Sequence, residues 1–224
     1  MKLEHIEDVI ERAINALDKT LSSRLDPLYI EQLIHQARAD AIRNLYNGSR
    51  TQGALKKIDG AWVQTFEVDI IDADQDDDND YLIFDVPAPL QINKNMGGLI
   101  YVGSSKKTKG FKVAQGVGEI NDLINRGYLE DGKDIACVYE PIGLKVWGNM
   151  NLKKIKVSAI LQNPIDAPNF LVNEDDYPVS EDLINMIQDI VVQKVSVGLR
   201  QTPDIIADGA DTNSINVTRS NIKQ

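Results

Sequence analysis

The amino-acid sequence predicts an α+β fold. It consists of an N-terminal helical hairpin and a C-terminal helix packed with an inserted antiparallel β module, followed by an extended C-terminal arm. Near both ends of the chain, apolar residues recur at helical spacing. In the middle, short segments alternate apolar and polar residues between turn residues. The last residues are polar and lack sustained periodicity, which predicts a tail and not a packed element.

The helical hairpin is predicted over residues 1–50, with helices at about 2–22 and 27–46. Each segment carries an apolar stripe with three-and-four spacing. Asp26 followed by Pro27 predicts a helix start, because aspartate caps free N–H groups and proline suits the first helical turn. Asn47-Gly48 predicts the end of the second helix, since glycine tolerates the left-handed cap conformation.

The β module is predicted over residues 51–165. Alternating apolar and polar residues predict its first strand over much of 61–71. Further strands are predicted at Tyr81–Val86, Leu99–Gly103, Phe111–Ala114, Ile135–Glu140, Leu144–Trp147 and Ile155–Leu161. A short helix is predicted at Glu119–Arg126, ended by Gly127. Closely spaced strands with one short helix favour an antiparallel sheet or a small barrel over alternating βαβ units.

A final helix is predicted within residues 166–200, packing on the hairpin. Ser180 is a suitable N-cap, and Gly198 is predicted to end the helix. Residues 201–224 form the polar arm, in which Ile205 and Ile206 make a lone apolar pair. Two readings remain open for that pair: an anchor on a partner chain, or part of a frayed terminus.

Composition limits the class of protein. A chain of 224 residues can bury a core without disulfides, and one cysteine, Cys137, excludes an internal disulfide and a multi-cysteine zinc site. No apolar run approaches the length of a membrane span, and the N-terminus lacks the apolar core of a signal peptide. We therefore expect a protein made in a cytoplasm, with no membrane partner.

The net charge of −10 is concentrated in one segment. Residues 67–85 carry −9 without any Lys or Arg, which leaves the rest of the chain near neutrality. We call this segment the acidic band; its acids are Glu67, Asp69, Asp72, Asp74, Asp76, Asp77, Asp78, Asp80 and Asp85. A protein that coats nucleic acid is disfavoured, because nonspecific affinity comes from basic residues that neutralise phosphates.

Three interpretations of the acidic band stay open. Asp74, Asp76 and Asp78 alternate as in the start of a calcium loop, and they are weak calcium candidates. Against this, Asn79 occupies the glycine position of such a loop, and Asp85 stands where a bidentate glutamate normally closes the site. The second interpretation is a solvated acidic loop, and the third is a negative surface that repels DNA phosphates in a pore. We take Asp72, Asp76, Asp77, Asp78 and Asp80 as interaction candidates.

A group of lysines forms the counterpart of the acidic band. Lys106, Lys107 and Lys109, with Lys112 beyond them, surround a predicted hairpin tip. They are interaction candidates for phosphate or for the acidic band of a neighbouring copy, and otherwise make a solubilising loop. No aromatic residue lies among them to stack on bases, which weakens a single-strand nucleic-acid interpretation.

The sequence shows no catalytic set, and we predict no enzyme and no cofactor. Gly98–Gly103 has the glycine spacing of a phosphate loop but Ser104 in place of its lysine, and Gly116-Val117-Gly118 lacks the third glycine of a dinucleotide loop. Cys137 lies in an apolar run, which predicts a buried structural thiol. His5 and His35 are predicted to be surface or helix-interface residues.

Two segments carry a resemblance to a known family. IEQLIHQARADA at 30–41 resembles the openings of small virion proteins of crAss-like bacteriophages, and so does the stretch from VSEDLINMI at 179–187 to TPDIIADG at 202–209. The resemblance implies a head–tail connector protein: a homo-oligomeric ring, twelvefold to match the portal, with DNA passing through its lumen without specific binding. The implied partners are the portal and further neck or tail ring proteins, and the implied location is the virion neck.

We therefore expect a structural virion protein, made in the host cytoplasm, that extends the DNA channel below the portal and docks tail proteins. The alternative is a calcium- or glycan-binding β module of a tail or surface adhesion protein. Only two tryptophans, Trp62 and Trp147, are present to form a sugar platform, which argues against the glycan reading. An enzyme with an acidic active site, such as a metal-dependent nuclease built on the Asp cluster of the acidic band, ranks third.

Overall fold

The α+β class predicted above is confirmed by the structure, a computed structural model. The structure describes residues 1–17, 25–51, 58–74, 81–93, 96–105, 110–129, 134–149, 151–172 and 174–201. Its helices are α1 (Leu3–Leu17), α2 (Pro27–Thr51), α3 (Val117–Asn125) and α4 (Glu181–Gln201). Its strands are β1 (Gln64–Asp74), β2 (Tyr81–Phe84), β3 (Gln91–Asn93), β4 (Met96–Gly97), β5 (Leu99–Ser104), β6 (Lys112–Val113), β7 (Ala136–Glu140), β8 (Gly143–Trp147) and β9 (Lys154–Ala159).

Helix α2 starts where the sequence predicts and ends later. The carboxylate of Asp26 accepts a hydrogen bond from the N–H of Leu28 at 3.0 Å, as an N-cap does. The predicted end at Gly48 is wrong, since the helix continues to Thr51, and the predicted end of α4 at Gly198 is wrong in the same way. Glycine lowers helix propensity by about 1 kcal/mol but does not forbid a helix, and buried Tyr46 holds the last turns of α2 on the core.

Helices α1 and α2 both pack against α4. Helix α4 makes extensive contact with both α1 and α2, whereas α1 and α2 touch each other much less. The predicted stripes supply this contact, with Ile6, Ile10 and Ile14 of α1 and Ile187 and Val191 of α4 fully buried. Each such side chain contributes about 1.5–3 kcal/mol of burial, so packing and not local propensity sets the stability of these helices.

Seven strands form one sheet in the order β5-β9-β1-β2-β8-β7-β6, antiparallel except for the β6–β7 pair. Strands β3 and β4, which the sequence analysis did not predict, form a separate small hairpin. Several predicted strands are shortened in the structure. Strand β2, for example, ends at Phe84 and not at Val86, shortly before Pro87 and Pro89, which cannot donate to a strand ladder.

The seven-stranded sheet closes into a flattened barrel. The first half of β1 pairs with β9 and the second half with β2, with a shift in register between Ile70 and Asp72 that lets one strand serve both walls. The barrel closes where the two edge strands of the sheet, β5 and β6, meet. There the N–H of Phe111 donates to the carbonyl of Val102 at 2.7 Å, and Gly103 forms a β-bridge with Gly110. The interior is apolar, and α3 covers part of the outside through its buried residue Ile120.

The barrel has two distinct ends. Trp62, which precedes β1, and Ile160, which follows β9, belong to the same core cluster as the helices. We call this the helical end. Strands β1, β5 and β8 run away from it, because β1 and β5 are both antiparallel to β9, and β2 is antiparallel to both β1 and β8. We call the end at which these three strands finish the distal end.

Candidate interaction surfaces

At the helical end of the barrel lies one buried arginine, which was not among the predicted functional residues. Arg38 of α2 is fully buried. Its Nε, Nη1 and Nη2 atoms donate to the carbonyls of Pro178, Leu161 and Trp62 at 2.8, 3.0 and 3.2 Å. Those carbonyls lie before α4, after β9 and before β1, so one side chain connects three segments. Burial lowers the pKa of Arg38 to about 10, which leaves it charged at neutral pH.

His35 lies one turn before Arg38 and belongs to the same junction. Its Nδ1 atom is 2.7 Å from the hydroxyl of Tyr177, whose ring stacks on the imidazole and lies 5.8 Å from the Arg38 guanidinium carbon. Burial lowers the pKa of His35, an effect that Glu31 partly opposes, so the ring is neutral at pH 7. Burial also raises the pKa of Tyr177, which therefore stays protonated. His35 is thus a helix-interface residue, one of the two predicted alternatives.

The position of Arg38 in the sequence could have revealed its burial. It stands four residues after Ile34 and three before Ala41, both fully buried members of the apolar stripe of α2. A basic residue inside such a stripe must either break the core or find polar partners within it. Here the partners are loop carbonyls from distant segments, which no local pattern announces.

The first acids of the acidic band lie on the outer face of the barrel, opposite lysines. Asp69 pairs in register with Lys154, and their charged groups are 3.5 Å apart. Glu67 lies 3.9 Å from the same lysine and pairs in register with Lys156. The exposed face of β1 and β9 is therefore a ladder of mixed charge, and this part of the acidic band is not a continuous negative patch.

The remaining acids of the band that the structure describes lie near opposite ends of the barrel. Asp72 and Asp74 lie on the last part of β1, and Asp76, Asp77, Asp78 and Asp80 lie outside the described residues. Asp85 follows β2, which runs back to the helical end. Because Asp74 pairs with Tyr81, Asp85 stands four residues further along, at about 13 Å. It is too far away to close a calcium loop that begins at Asp74.

The lysine group also divides. Lys106, Lys107 and Lys109 lie outside the described residues, as do Ile205 and Ile206. Lys112 lies on β6, where its ammonium group is 3.1 Å from Glu119, so it is not part of the tip. Strand β5, which precedes the lysine loop, and β1, which precedes the acidic loop, flank β9 and run in the same direction. Both loops therefore follow strands that run toward the distal end. Ser104 and Val68 both pair with Ile155, so β5 ends level with Val68, whereas β1 continues for six more residues, about 20 Å, to Asp74.

The other motifs and residues considered as functional candidates lie in a strand or in the core. Gly98–Gly103 spans most of strand β5 and does not form a phosphate-binding turn. Trp62 and Trp147 are both buried, so neither offers a face to a sugar ring. Cys137 is fully buried, and burial raises its pKa to about 12. In the part of the chain that the structure describes, no group of three acidic, histidine or cysteine side chains could hold a metal ion.

Several large apolar side chains are exposed, among them Leu17, Leu28 and Tyr29 around the connection between α1 and α2. Within the described ranges, no helix combines the length and apolar character needed to span a membrane.

No protein-family model matches the chain, and a search of curated proteins finds no match.

Proposed function

We propose that the chain is the subunit of a non-catalytic head–tail connector ring of a bacteriophage. The ring is twelvefold, lies below the portal in the virion neck, extends the DNA channel and docks tail proteins. The subunit is made in the host cytoplasm and joins the particle during assembly. The support is the family resemblance of residues 30–41 and 179–209 together with the distribution of charge on the barrel.

The observation that carries the proposal is the direction of β1 and β5. Both strands flank β9 and run toward the distal end, so the segments that follow them, which carry opposite charges, leave in the same direction. A subunit that presents both charges at one end can pair each loop with the opposite loop of the next copy. Such head-to-tail pairing is heterologous, and it closes into a ring when the rotation between copies fits.

The excess of acid over lysine fits a channel for DNA. Residues 72–80 carry six carboxylates and no base, against three lysines at 106–109. After pairing with lysines, a negative surplus remains. Such a surplus repels the phosphates of a passing duplex and keeps it from binding to the wall.

The first experiment measures assembly. Native mass spectrometry of the purified full chain over a range of concentrations, with and without the portal protein of the same phage, gives the stoichiometry. Electron microscopy gives the symmetry and shows whether a lumen is present. We expect twelvefold rings, alone or on the portal. Monomers under every condition, together with no portal binding, contradict the proposal.

A charge-swap experiment tests the interface. One variant carries Lys106→Glu, Lys107→Glu and Lys109→Glu, and the other carries Asp76→Lys, Asp77→Lys and Asp78→Lys. We expect each variant alone to lose ring formation, because its loops repel, and an equimolar mixture to recover it as alternating subunits. Circular dichroism of each variant is the folding control. Rings that form equally well from either variant alone place the charged loops away from the subunit contact.

A further inference from the structure

A groove with a polar lining lies beside the buried junction. Its volume is about 300 Å³, and it lies between α2, the segment after β9 and Lys194 of α4. One wall is the outer side of α2, where four polar residues follow one another at helical spacing: Gln32, Gln36, Asp40 and Arg43. Gln162 and Asn163 form the opposite wall, and His35 lines the groove as well.

Two buried polar atoms in this groove have no hydrogen-bond partner among the described residues: His35 Nε2 and Asn163 Oδ1. His35 is 7% exposed, and its Nε2 atom lies 3.5 Å from Glu31, which is too long for a good hydrogen bond. If the Tyr177 hydroxyl donates to Nδ1, the neutral ring carries its proton on Nε2. The groove then offers one unused donor and one unused acceptor.

A peptide unit supplies the complementary pair. Its carbonyl can accept from His35 Nε2 and its N–H can donate to Asn163 Oδ1 once the side chains that enclose these two atoms move aside. Buried polar atoms without partners are unfavourable, so a main chain that pairs with them removes a penalty that the free subunit carries. The amides of Gln32, Gln36 and Gln162 can make further hydrogen bonds of the same kind.

The charges in the groove favour an acidic peptide. The carboxylate of Asp40 is shared between Lys194 Nζ at 2.9 Å and Arg43 Nη1 at 3.3 Å. Among the residues that line the groove, two cations thus share one anion, which leaves one positive charge at Arg43 and Lys194, whereas the carboxylates of Glu31 and Asp166 lie beside His35 and Asn163. An occupant with a carboxylate near Arg43 and Lys194 balances that charge.

We infer that the groove receives the C-terminal arm, residues 202–224, of a neighbouring copy. The choice of a neighbouring copy rests on the proposed ring. The first half of the arm contains Asp204, Asp208 and Asp211 and no base before Arg219, which suits the charge of the groove. Lys194 stands seven residues before the end of α4, about 10 Å along the helix, and the arm can span up to about 75 Å when extended.

Photo-crosslinking of the full chain tests this inference without assuming a register. The photoreactive residue p-benzoylphenylalanine replaces Gln36, which is exposed and lines the groove. The matched control carries the same residue in place of Asn121, which is exposed on α3. Equal amounts of ¹⁴N- and ¹⁵N-labelled protein are mixed before irradiation, and cross-linked peptides are identified by mass spectrometry.

We expect the Gln36 variant, and not the Asn121 variant, to cross-link to peptides from 202–224 in pairs of mixed isotope. Replacing Asp204, Asp208 and Asp211 by Asn should lower that yield severalfold, while circular dichroism stays unchanged. Pairs of a single isotope only show that the arm occupies its own groove, and they overturn the inference. Rings that form without any cross-link to the arm overturn it too and leave the ring proposal standing. Monomers without such a cross-link overturn both.

Discussion

The helical end and the distal end of the barrel handle charge in opposite ways. At the helical end, Arg38 is fully buried and its donors are met by three carbonyls. Toward the distal end, Asp69 and Lys154 are exposed and form a loose pair at 3.5 Å. A buried charge has a fixed set of partners, so it specifies one arrangement of the fold. Exposed charges contribute little to stability and remain available to a partner.

The largest expected effect is that of Arg38→Ala, which tests the buried side of this contrast. Removing the guanidinium leaves three carbonyls without their donor and opens a cavity. We expect the free energy of unfolding to fall by about 3–5 kcal/mol in urea titrations. The matched control is Arg43→Ala on the same helix. Arg43 is about one-third exposed and donates to the carbonyl of Gln91, so its loss should cost about 1 kcal/mol. Equal losses in the two variants contradict the role given to burial.

A glycine at the helical end should give the next largest effect. A Cβ added at Gly98 meets the backbone of Leu90 at 2.9 Å and also the carbonyl of Ile160, and backbone cannot move aside as a flexible side chain does. We expect Gly98→Ala to lower the free energy of unfolding by about 2–3 kcal/mol.

The control for that substitution is Gly118→Ala in α3, where nothing lies within 4 Å of the added Cβ. Alanine has a higher helix propensity than glycine, so this variant should gain up to about 1 kcal/mol. Chemical denaturation measures both variants. A Gly98→Ala variant as stable as the parent contradicts the close approach of these segments.

Acidification should weaken the helical end through His35. Burial lowers the pKa of His35 in the folded protein, so below about pH 6.5 the unfolded chain binds the proton first. Stability from this group is complete above that value and is lost as the pH falls through it. The positive charge of Arg38 also lowers the pKa of His35, whereas the carboxylates of Glu31 and Asp166 raise it.

His35→Gln isolates this contribution. Unfolding free energies at pH 7.5 and 5.5 should differ less in the variant than in the parent, and His5→Gln, on the exposed side of α1, should keep the parental difference. The pKa of Glu7 is raised, mainly by burial, so Glu7 adds to the stability of the folded protein as the pH falls. Glu7 is present in all three proteins, so its effect cancels when they are compared. An unchanged pH dependence in His35→Gln contradicts the assignment.

The smallest effect is expected on the exposed charge ladder. Lys154→Ala removes the pairs with Asp69 and Glu67, both on the surface. We expect a loss below about 0.5 kcal/mol that disappears in 1 M salt. Lys153→Ala, next to it in the chain, is the control. A salt-independent loss of several kcal/mol would show that this face is structural and would remove the contrast between the two ends.

The α+β class, the apolar stripes of α1, α2 and α4, and most strand positions are predictable from local sequence patterns. These features depend on local periodicity, and each segment carries its own signal. The start of α2 at Asp26-Pro27 is also encoded by local sequence. Its end is not, because the packing of Tyr46 on the core outweighs the low helix propensity of Gly48.

How the barrel closes, which charges face each other and which are buried depend on contacts between distant parts of the chain. Lys154 neutralises Asp69 from 85 positions away in the chain, and the partners of Arg38 extend to Pro178. Such pairs depend on strand register and on the docking of distant segments, which local sequence does not encode. Asp69 and Asp85 of the acidic band are therefore close in sequence but apart in space, because Asp69 faces Lys154 whereas Asp85 follows β2, which runs back to the helical end.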